Sequence, residues 1–490
     1  MKKLILLSVM FALIVPAFAA EVKPQKPNVL FIAIDDMRDW TGYFGTHPNT
    51  KTPNLDRLAS QGVAFTRSYC AAPLCNPSRA ALLSGLRPSN TGVYTNNDDW
   101  RKIIPPEIVT LQTHFQQNGY ETLGSGKIYH GSFPAETGWD DYLVINRKLI
   151  NNSTKPAGQA ANEDDDQYRD GVGGIKFQPL DNTDEEMEDY HIVQYGIDQL
   201  RKKHDKPFFL AVGLHKPHMP WNVPKKYYDL HPLDEITLPE VPSEDLDDVP
   251  AAGIKIAKPE GDHAKILESG RWKHAVQGYL AAISFSDAMV GRLLDALDKS
   301  EYHENTIVVL WSDHGWHLGE KQHWRKFALW EEANRQPLIW RVPGVTPTGV
   351  KTETPVDLMH VYPTLCDLTG LPLPAHPLDG KSIRPLLEHP ESKADTAAVS
   401  TYGYQNHTVR TKDWRYIRYA DGSEELYDEK ADPHEWTNLA SKPELAGVKE
   451  KLAKDLPEKN LPAQQKKEVQ SNNRKKNNQQ KSGNSKTTSA

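Results

Sequence analysis

The segment NVLFIAIDD, residues 28–36, decides the fold, because six apolar residues in a row are followed at once by two aspartates. An apolar run of this length predicts a strand that is buried on both faces. Three later segments have the same form, namely ETLGSGKIYH (121–130), FFLAVGLHKPH (208–218) and TIVVLWSDHG (306–315). Between them lie segments of helical character, such as TPNLDRLASQG (52–62) and HAVQGYLAAISFSDAMVGRLLDALDKS (274–300). This alternation predicts an α/β fold with a large, mostly parallel sheet covered by helices.

Polar residues with useful chemistry follow all of these predicted strands. The apolar runs end in Asp-Asp, Lys-x-x-His, His and Asp-His, respectively. In open parallel sheets the functional groups collect beyond the carboxyl ends of the strands, so we expect these residues to form a single active site. Any one of the ends alone could be a turn, which is the more common role of a single aspartate after a strand.

Length and charge exclude some classes of protein. A chain of 490 residues favours one large catalytic domain, expected over residues 27–389, with a smaller companion. The formal net charge of −7 gives no reason to expect a nucleic-acid partner. Residues 1–19 combine two lysines, an apolar run and Ala-Phe-Ala, the pattern of a cleaved signal peptide, and no later run is long enough for a membrane span. We therefore expect a periplasmic or secreted protein.

The last hundred residues change in character. Residues 390–458 alternate aromatic and polar side chains and contain an Asp-Gly turn, which predicts a small subdomain of antiparallel strands. Residues 459–490 are rich in Lys, Gln, Asn and Ser and nearly without apolar side chains, so we expect a basic, disordered tail.

Cys75 stands in CAAPLCNPSRAALLSG (70–85) at a predicted helix start, with Asn76 as N-cap, Pro77 as first helical residue and Gly85 just past the end. A helix N-terminus favours an anion, so this cysteine is expected to be activated. It could be a packed apolar residue, a disulfide partner of Cys70, a thiolate nucleophile or the precursor of a modified group. The third cysteine, Cys366, lies among apolar residues and is expected in the core.

The predicted strand ends supply ligands for a metal and groups for an anion. The carboxylates of Asp35, Asp36 and Asp313 suit a hard cation such as calcium or magnesium better than zinc. Two adjacent buried carboxylates would repel each other without a cation, which favours a metal site over a simple turn. The remaining cationic and acid-base groups are Arg79, Lys127, His130, His215 and Lys326. Together they indicate an enzyme that acts on sulfate or phosphate esters.

The segment CNPSRAALLSG resembles the Cys-x-Pro-Ser-Arg signature of the type I sulfatases, in which the cysteine is oxidised to formylglycine. It is joined in order by NVLFIAIDDMR, TPNLDRLASQGVAF, NGYETLGSGKIYHG and WSDHGWHLGE. The resemblance covers roughly residues 27–440. FFLAVGLHKPHMPW, LPEVP and DHGWHLGEKQHWRKFALWEEANRQPLIW are most similar to the iduronate-2-sulfatase group.

This resemblance implies an alkaline-phosphatase-like fold and one calcium ion per chain. The implied ligands are Asp35, Asp36, Asp313, His314 and the modified Cys75, with His314 in place of the asparagine of many sulfatases. The resemblance also implies that Arg79 stabilises the hydrated aldehyde and that Lys127 and Lys326 bind the sulfate. It implies that His130 acts on the formylglycine hydroxyl, and that His215 and Lys326 face the leaving alcohol. The implied partners are a sulfated glycan and a formylglycine-generating maturation enzyme.

The sugar is less well defined than the chemistry. The resemblance favours a 2-O-sulfated uronic acid, with carrageenan-type galactose sulfate as an alternative. A phosphodiesterase or phosphonate ester hydrolase is a second alternative, and an inactive calcium-dependent glycan-binding protein is a third. Side chains that could line a sugar pocket are Trp100, Arg101, His218, Trp221 and Trp324, although aromatic core packing is an equal alternative. The predicted loops 151–174 and 255–272 could shape that pocket.

Overall fold

The computed structural model describes residues 26–131, 133–145, 171–392 and 396–463. The predicted signal peptide, most of the loop 151–174 and residues 464–490 of the predicted tail lie outside these ranges. Within them, the strands are β1 Asn28–Asp35, β2 Val63–Phe65, β3 Ser68–Tyr69, β4 Glu121–Gly126, β5 Asp141–Leu143, β6 Phe177–Leu180, β7 Phe208–Pro217, β8 Trp221–Pro224, β9 Thr306–Ser312, β10 His317–Leu318, β11 Trp324–Arg325, β12 Leu338–Arg341, β13 Val350–Thr352, β14 Val356–Asp357, β15 Ala398–Thr401, β16 His407–Arg410, β17 Trp414–Arg418 and β18 Glu424–Asp428.

The α-helices of the same ranges vary from single turns to one long helix. They are α1 Pro53–Ser60, α2 Cys75–Ser84, α3 Pro88–Thr91, α4 Trp100–Ile103, α5 Leu111–Gln117, α6 Glu188–Arg201, α7 Lys225–Tyr228, α8 Ala251–Ala257, α9 Asp262–Ser269, α10 Trp272–Asp298, α11 Glu331–Asn334, α12 Val361–Thr369, α13 Arg384–Glu388 and α14 Ala446–Ala453. None of these helices is both long and apolar enough to cross a membrane.

The main sheet has the strand order β13-β2-β12-β9-β1-β7-β4-β5. The four strands predicted from apolar runs, β9, β1, β7 and β4, are consecutive neighbours and all parallel. Strand β12 runs antiparallel to both of its neighbours. The sheet is therefore mostly parallel, as predicted.

Helices cover both faces of this sheet. In β1, Leu30, Ile32 and Ile34 pack with the long helix α10 and with α6 in one buried cluster. The alternate residues Val29 and Phe31 pack on the other face with α2 and α12. Because every strand residue of β1 is buried, the continuous apolar run is explained by a two-sided core.

The C-terminal subdomain contains a four-stranded antiparallel sheet, β15-β16-β17-β18. The predicted Asp-Gly turn joins β17 to β18, with Gly422 at φ 86°. A buried ionic cluster ties this sheet to the catalytic part of the chain. In it, Arg415 contacts Glu331, Glu429 and Glu435, and Arg410 Nε lies 3.2 Å from Glu331 Oε2.

Three local predictions were wrong. Helix α2 begins at Cys75 with Leu74 as its N-cap, and the Asn76 side chain instead donates to the carbonyls of Thr95 and Asp98. The predicted loop 255–272 contains the end of α8 and the whole of α9. The predicted tail begins too early, because the Leu461 N–H donates to Ser89 O at 2.8 Å.

Candidate active site

The carboxyl edge of the main sheet gathers the side chains predicted from the strand ends. Asp35 ends β1, and Asp36 follows in the left-handed conformation with φ 61°, which aspartate tolerates better than most residues. Asp313 and His314 directly follow β9, and the Asp36 N–H donates to Asp313 Oδ1 at 3.0 Å. Lys127 directly follows β4. Because these strands are neighbours, residues about 280 positions apart in the chain meet at one buried point.

Cys75 is the first residue of α2 and is fully buried at this point. Its Sγ accepts from Lys326 Nζ at 2.9 Å and lies 3.4 Å from His314 Nε2 and 3.7 Å from Asp36 Oδ1. The helix is fastened to the sheet one turn later, where Ser78 Oγ donates to the carbonyl of Asp313 at 2.6 Å. The start of α2 therefore holds residue 75 over the carboxylates.

Arg79 ties three strand ends together. Its Nε donates to Asp313 Oδ2 at 2.8 Å, its Nη2 lies 3.1 Å from Asp35 Oδ1, and its Nη1 donates to the carbonyl of Lys127. The side chain is 1% exposed, so these charge-assisted bonds are shielded from water. Arg79 thus fixes the carboxylates relative to α2.

Two lysines reach the site from opposite sides. Lys127 Nζ pairs with Asp35 Oδ2, and Lys326 Nζ donates to Asp36 Oδ1 at 2.8 Å. Lys326 stands between Arg325 and Phe327, which have φ of 79° and 80°, so the backbone on both sides is in the left-handed region. The ammonium of Lys326 also lies 5.6 Å from the Trp316 ring centroid, within cation–π range.

These charges change the proton affinities of the site. Burial raises the pKa of the Cys75 thiol, but Lys127, Lys326 and His314 outweigh it and hold that pKa well below its usual value. Burial also dominates at Asp313, where it raises the pKa to about 7 despite the adjacent Arg79. The pKa of Asp36 is lowered, because His218 and Lys326 outweigh its burial. The site thus favours a negative charge at position 75.

The donor set fits a hard divalent cation. Two overlapping groups have ligand atoms within 4.8 Å of one another, and they comprise Asp35, Asp36, Cys75 and His218 in one and Asp36, Cys75, Asp313 and His314 in the other. Each group has two carboxylates among its four residues, and three different carboxylates contribute in all, which are the oxygen ligands that calcium and magnesium prefer. His314 Nδ1 lies 3.0 Å from Gly315 O, which leaves Nε2 to face Asp36 and Cys75. All five predicted metal ligands therefore lie together.

A cleft of about 610 Å³ opens beside this cluster and is lined by Lys127, His130 and His215 among others. His130 is also among the groups that lower the pKa of the Cys75 thiol, after Lys127, Lys326 and His314. His215 Nδ1 lies 3.6 Å from Asp189 Oδ1 and 3.8 Å from Glu188 Oε1. The six residues predicted as catalytic are thus divided between the buried cluster and the wall of this cleft.

His218 contacts the buried carboxylates, a position that the sequence does not predict. We expect it from the sequence only as a pocket-lining residue, but its Nδ1 lies 2.6 Å from Asp36 Oδ2 and 3.2 Å from Asp35 Oδ2. Although burial lowers the pKa of His218, the carboxylates of Asp36 and Asp35 raise it to about 9. The signal in the sequence that could have identified His218 is its position in HKPH, three residues after His215 at the predicted strand end.

Other suggested pocket residues have structural roles. Trp221 and Trp324 are 0% and 2% exposed and belong to the core cluster around α10. Trp100 packs in the opposite core cluster, and its indole N–H donates to Phe133 O at 2.7 Å. Core packing, the alternative considered from the sequence, is therefore correct for all three tryptophans.

The three cysteines are all within the described residues, and all are free and buried. Cys70 Sγ lies 3.6 Å from Asn334 Oδ1, so no disulfide joins it to Cys75. Cys366 belongs to α12 and packs in the core cluster that also contains residues of α2, as expected.

Comparisons with known proteins identify one family. A family model described as "Sulfatase" matches residues 27–371, and one described as "N-sulphoglucosamine sulphohydrolase, C-terminal" matches residues 319–461. A protein named "Sulfatase" from Formosa agariphila is 39% identical, with 89% of this chain and 87% of that protein covered. Iduronate 2-sulfatase of Mus musculus is 32% identical, with 71% of this chain and 69% of that protein covered.

A similar fold is found among solved structures. The phosphonate monoester hydrolase of Agrobacterium radiobacter aligns with a TM-score of 0.73 and 24% identity, over 87% of this chain and 94% of that one. At this identity the likeness concerns the fold.

Proposed function

The chain belongs to the sulfatase family and has its alkaline-phosphatase-like fold, and from this premise we propose that it hydrolyses sulfate esters of a sulfated glycan. In this proposal Cys75 is converted to formylglycine and one calcium ion is bound per chain. The observation that carries the proposal is the meeting of Cys75, three buried carboxylates and two lysine ammonium groups at the N-terminus of α2.

We assign the calcium site to Asp35, Asp36, Asp313, His314 and residue 75. Oxygen ligands from three carboxylates support calcium over zinc, and the orientation of His314 supports its Nε2 as a ligand. When bound, calcium supplies a hard Lewis acid that neutralises charge on the sulfate oxygens. Arg79 holds Asp35 and Asp313 in place and so keeps the ligand set ordered.

The sulfate group is bound by Lys127 and Lys326. The ammonium group of Lys127 lies 3.9 Å from Cys75 Sγ, and that of Lys326 lies 2.9 Å from it. Such fixed cations stabilise the charge that builds up on sulfate oxygens in the transition state. As formylglycine, residue 75 would supply a hydrated aldehyde, one hydroxyl of which would attack sulfur as the S–O bond to the sugar breaks. The other hydroxyl would then lose its proton, which breaks the C–O bond to the sulfate, releases sulfate and restores the aldehyde.

The histidines move the protons. His215, beside Asp189 and Glu188, donates a proton to the departing sugar oxygen, together with Lys326. His130, which is close enough to position 75 to lower the pKa of the thiol there, accepts the proton of the second hydroxyl. Both histidines line the 610 Å³ cleft, which we assign to the sugar that bears the sulfate.

We propose a 2-O-sulfated uronic acid as that sugar. Support comes from the 32% identity to an iduronate 2-sulfatase over 71% of this chain. The proposed place of action is the periplasm or the exterior of the cell, after removal of residues 1–19, and the proposed partner in maturation is a formylglycine-generating enzyme.

The test uses purified protein in which residue 75 has been checked by mass spectrometry. Defined sulfated oligosaccharides, including 2-O-sulfated uronic acid and carrageenan-type galactose sulfate, are assayed for sulfate release beside matched phosphate and phosphonate esters. We expect turnover of a sulfated glycan and none by the Cys75→Ala control. Confirmed formylglycine with no sulfate released from any glycan would overturn the glycan assignment, and faster turnover of the phosphorus esters would favour the hydrolase alternative.

A further inference from the structure

A second and larger cleft, of about 1030 Å³, borders the segment that carries Lys326. Its walls are helix α8, the segment 323–327 and two turns of the C-terminal sheet, at 402–406 and 419–421. None of its lining residues belongs to the cluster around Cys75, so the roles assigned above do not account for it.

This second cleft adjoins the active site through one wall. Arg325 and Phe327 line it, while the side chain of the intervening Lys326 points the other way and reaches Cys75 Sγ at 2.9 Å. The Phe327 N–H donates to Pro73 O at 3.2 Å, two residues before Cys75. A single lysine side chain therefore separates the cleft wall from the reacting position.

Helix α8, the opposite wall, is joined to the same segment. The buried ring of His323 lies 2.9 Å from Ala257 O at the end of α8 through Nδ1 and 2.8 Å from Lys326 O through Nε2. The cleft is thus formed by elements that are mutually fixed and bonded to the segment that carries the catalytic lysine.

The lining of the second cleft combines aromatic rings with cations. Phe327 and Tyr402 are half-buried with ring centroids 6.4 Å apart, and they offer apolar faces on which a sugar ring can pack. Lys255 and Lys258 are exposed at its rim, and among the described residues neither has an ion-pair partner. These free ammonium groups favour an anionic ligand over a neutral one.

The acidic groups of this cleft are already engaged. Asp262 Oδ2 lies 2.7 Å from Arg325 Nε, and Asp421 Oδ1 accepts from the backbone N–H of Ser423 at 3.0 Å. Asp262 is paired with Arg325, whereas Asp421 keeps its negative charge. Lys255 and Lys258 therefore leave the lining with an excess of one positive charge beside the aromatic faces.

We propose that this second cleft binds the sugar residues that continue the chain beyond the sulfated residue, as part of an acidic oligosaccharide. The inference rests on the proposed function. A substrate chain is favoured over a separate protein partner, because the segment around Lys326 forms one wall of this cleft and also reaches residue 75. The carboxylate or sulfate groups of successive sugars pair with Lys255 and Lys258, and the sugar faces pack on Phe327 and Tyr402.

The test compares substrates of different length with the double variant Lys255→Ala/Lys258→Ala. Di-, tetra- and hexasaccharides that carry 2-O-sulfated uronic acid are assayed, with 4-nitrophenyl sulfate as a substrate too short to enter the cleft. We expect the wild-type kcat/KM to rise with chain length. In the double variant the ratio of kcat/KM for hexasaccharide to that for disaccharide falls about 5-fold, the effect of two exposed ion pairs.

The control variant is Lys442→Ala/Lys454→Ala, which removes the same charge from exposed positions near α14, outside the cleft lining. It should keep the wild-type ratio, which separates local pairing from a general loss of positive charge. A length dependence that is absent, or equal in both double variants, overturns the inference while leaving sulfatase activity intact. A protein that hydrolyses none of the sulfate esters, 4-nitrophenyl sulfate included, overturns the proposed function and the inference together.

Discussion

Replacement of Gly213 by alanine should lower the catalytic rate strongly while the protein stays folded. Gly213, inside β7, is paired with Gly126 at the end of β4, and its carbonyl accepts from the Lys127 N–H at 2.7 Å. A Cβ at position 213 would lie 2.4 Å from the Lys127 carbonyl carbon and 2.5 Å from its oxygen. These are backbone atoms, so no rotation of a side chain can relieve the contact.

The size of the effect follows from those distances. Real Cβ atoms keep at least 3.0 Å from such atoms, so the Lys127 backbone must move by about 0.6 Å, and by about 1 Å to reach ordinary contact. A misplacement of about 1 Å in a catalytic group can lower the rate about 100-fold. The same overpacking costs only about 1–3 kcal/mol of folding free energy.

The assay measures kcat on an aryl sulfate and the free energy of unfolding in urea for the wild type and Gly213→Ala. The matched control is Gly447→Ala in α14, where an added Cβ meets no atom within 4 Å. We expect kcat to fall about 100-fold in the first variant, which stays folded, and to be unchanged in the second. Wild-type kcat in Gly213→Ala would refute the argument that β7 positions Lys127 by close backbone contact.

Four further predictions concern other parts of the molecule. Cys75→Ser should lose more than about 10³-fold in kcat, because a plain alcohol lacks the second hydroxyl, whereas Cys70→Ser should stay within about 3-fold; equal losses would contradict the assignment. Chelator treatment should abolish activity. Calcium added back at about 100 times its Kd should raise the unfolding free energy by about 2.7 kcal/mol. Equal melting temperatures with and without calcium would exclude the metal site. Arg415→Ala should lower the unfolding free energy by about 3–5 kcal/mol, since Glu331 and Glu435 lose a buried cation, and a loss below 1 kcal/mol in urea titrations would contradict this. Burial raises the pKa of Asp287 from 3.8 to about 6, so the folded state retains a proton that the unfolded state loses. The unfolding free energy of the wild type relative to Asp287→Asn should therefore fall by up to about 3 kcal/mol as the pH rises from 4 to 6. A difference in unfolding free energy that does not change with pH would refute the shift.

The centre of the fold was predictable because its strands are buried on both sides. A strand such as β1, covered by α10 on one face and by α2 on the other, has no polar alternation and is recognisable from a short apolar run. Edge strands such as β5 and β13 are short and partly exposed, so their sequences carry no comparable pattern. The reversed direction of β12 depends on chain connections that apolar periodicity does not report.

The candidate site was predictable where chemistry and strand ends coincide. Asp35, Asp36, Asp313 and Lys127 come directly after strands, so the order of the sheet alone brings them together. His218 was not assigned a place near Asp36, because its approach depends on the path of the chain after β7. The core positions of Trp100, Trp221 and Trp324 were not predictable for a similar reason, because the burial of an aromatic residue depends on long-range packing.

The complete burial of Cys75 sets an order of events in the life of the molecule. With 0% of its surface exposed, the residue is out of reach of any macromolecular catalyst once α2 has docked on the sheet. An enzyme that oxidises this cysteine must therefore act while the chain is still open, during or soon after synthesis and before β1, β4 and β9 have closed around it. If residue 75 is modified as proposed, protein that folds before oxidation would retain the thiol, and the active fraction of a preparation would report the rate of oxidation relative to the rate of folding.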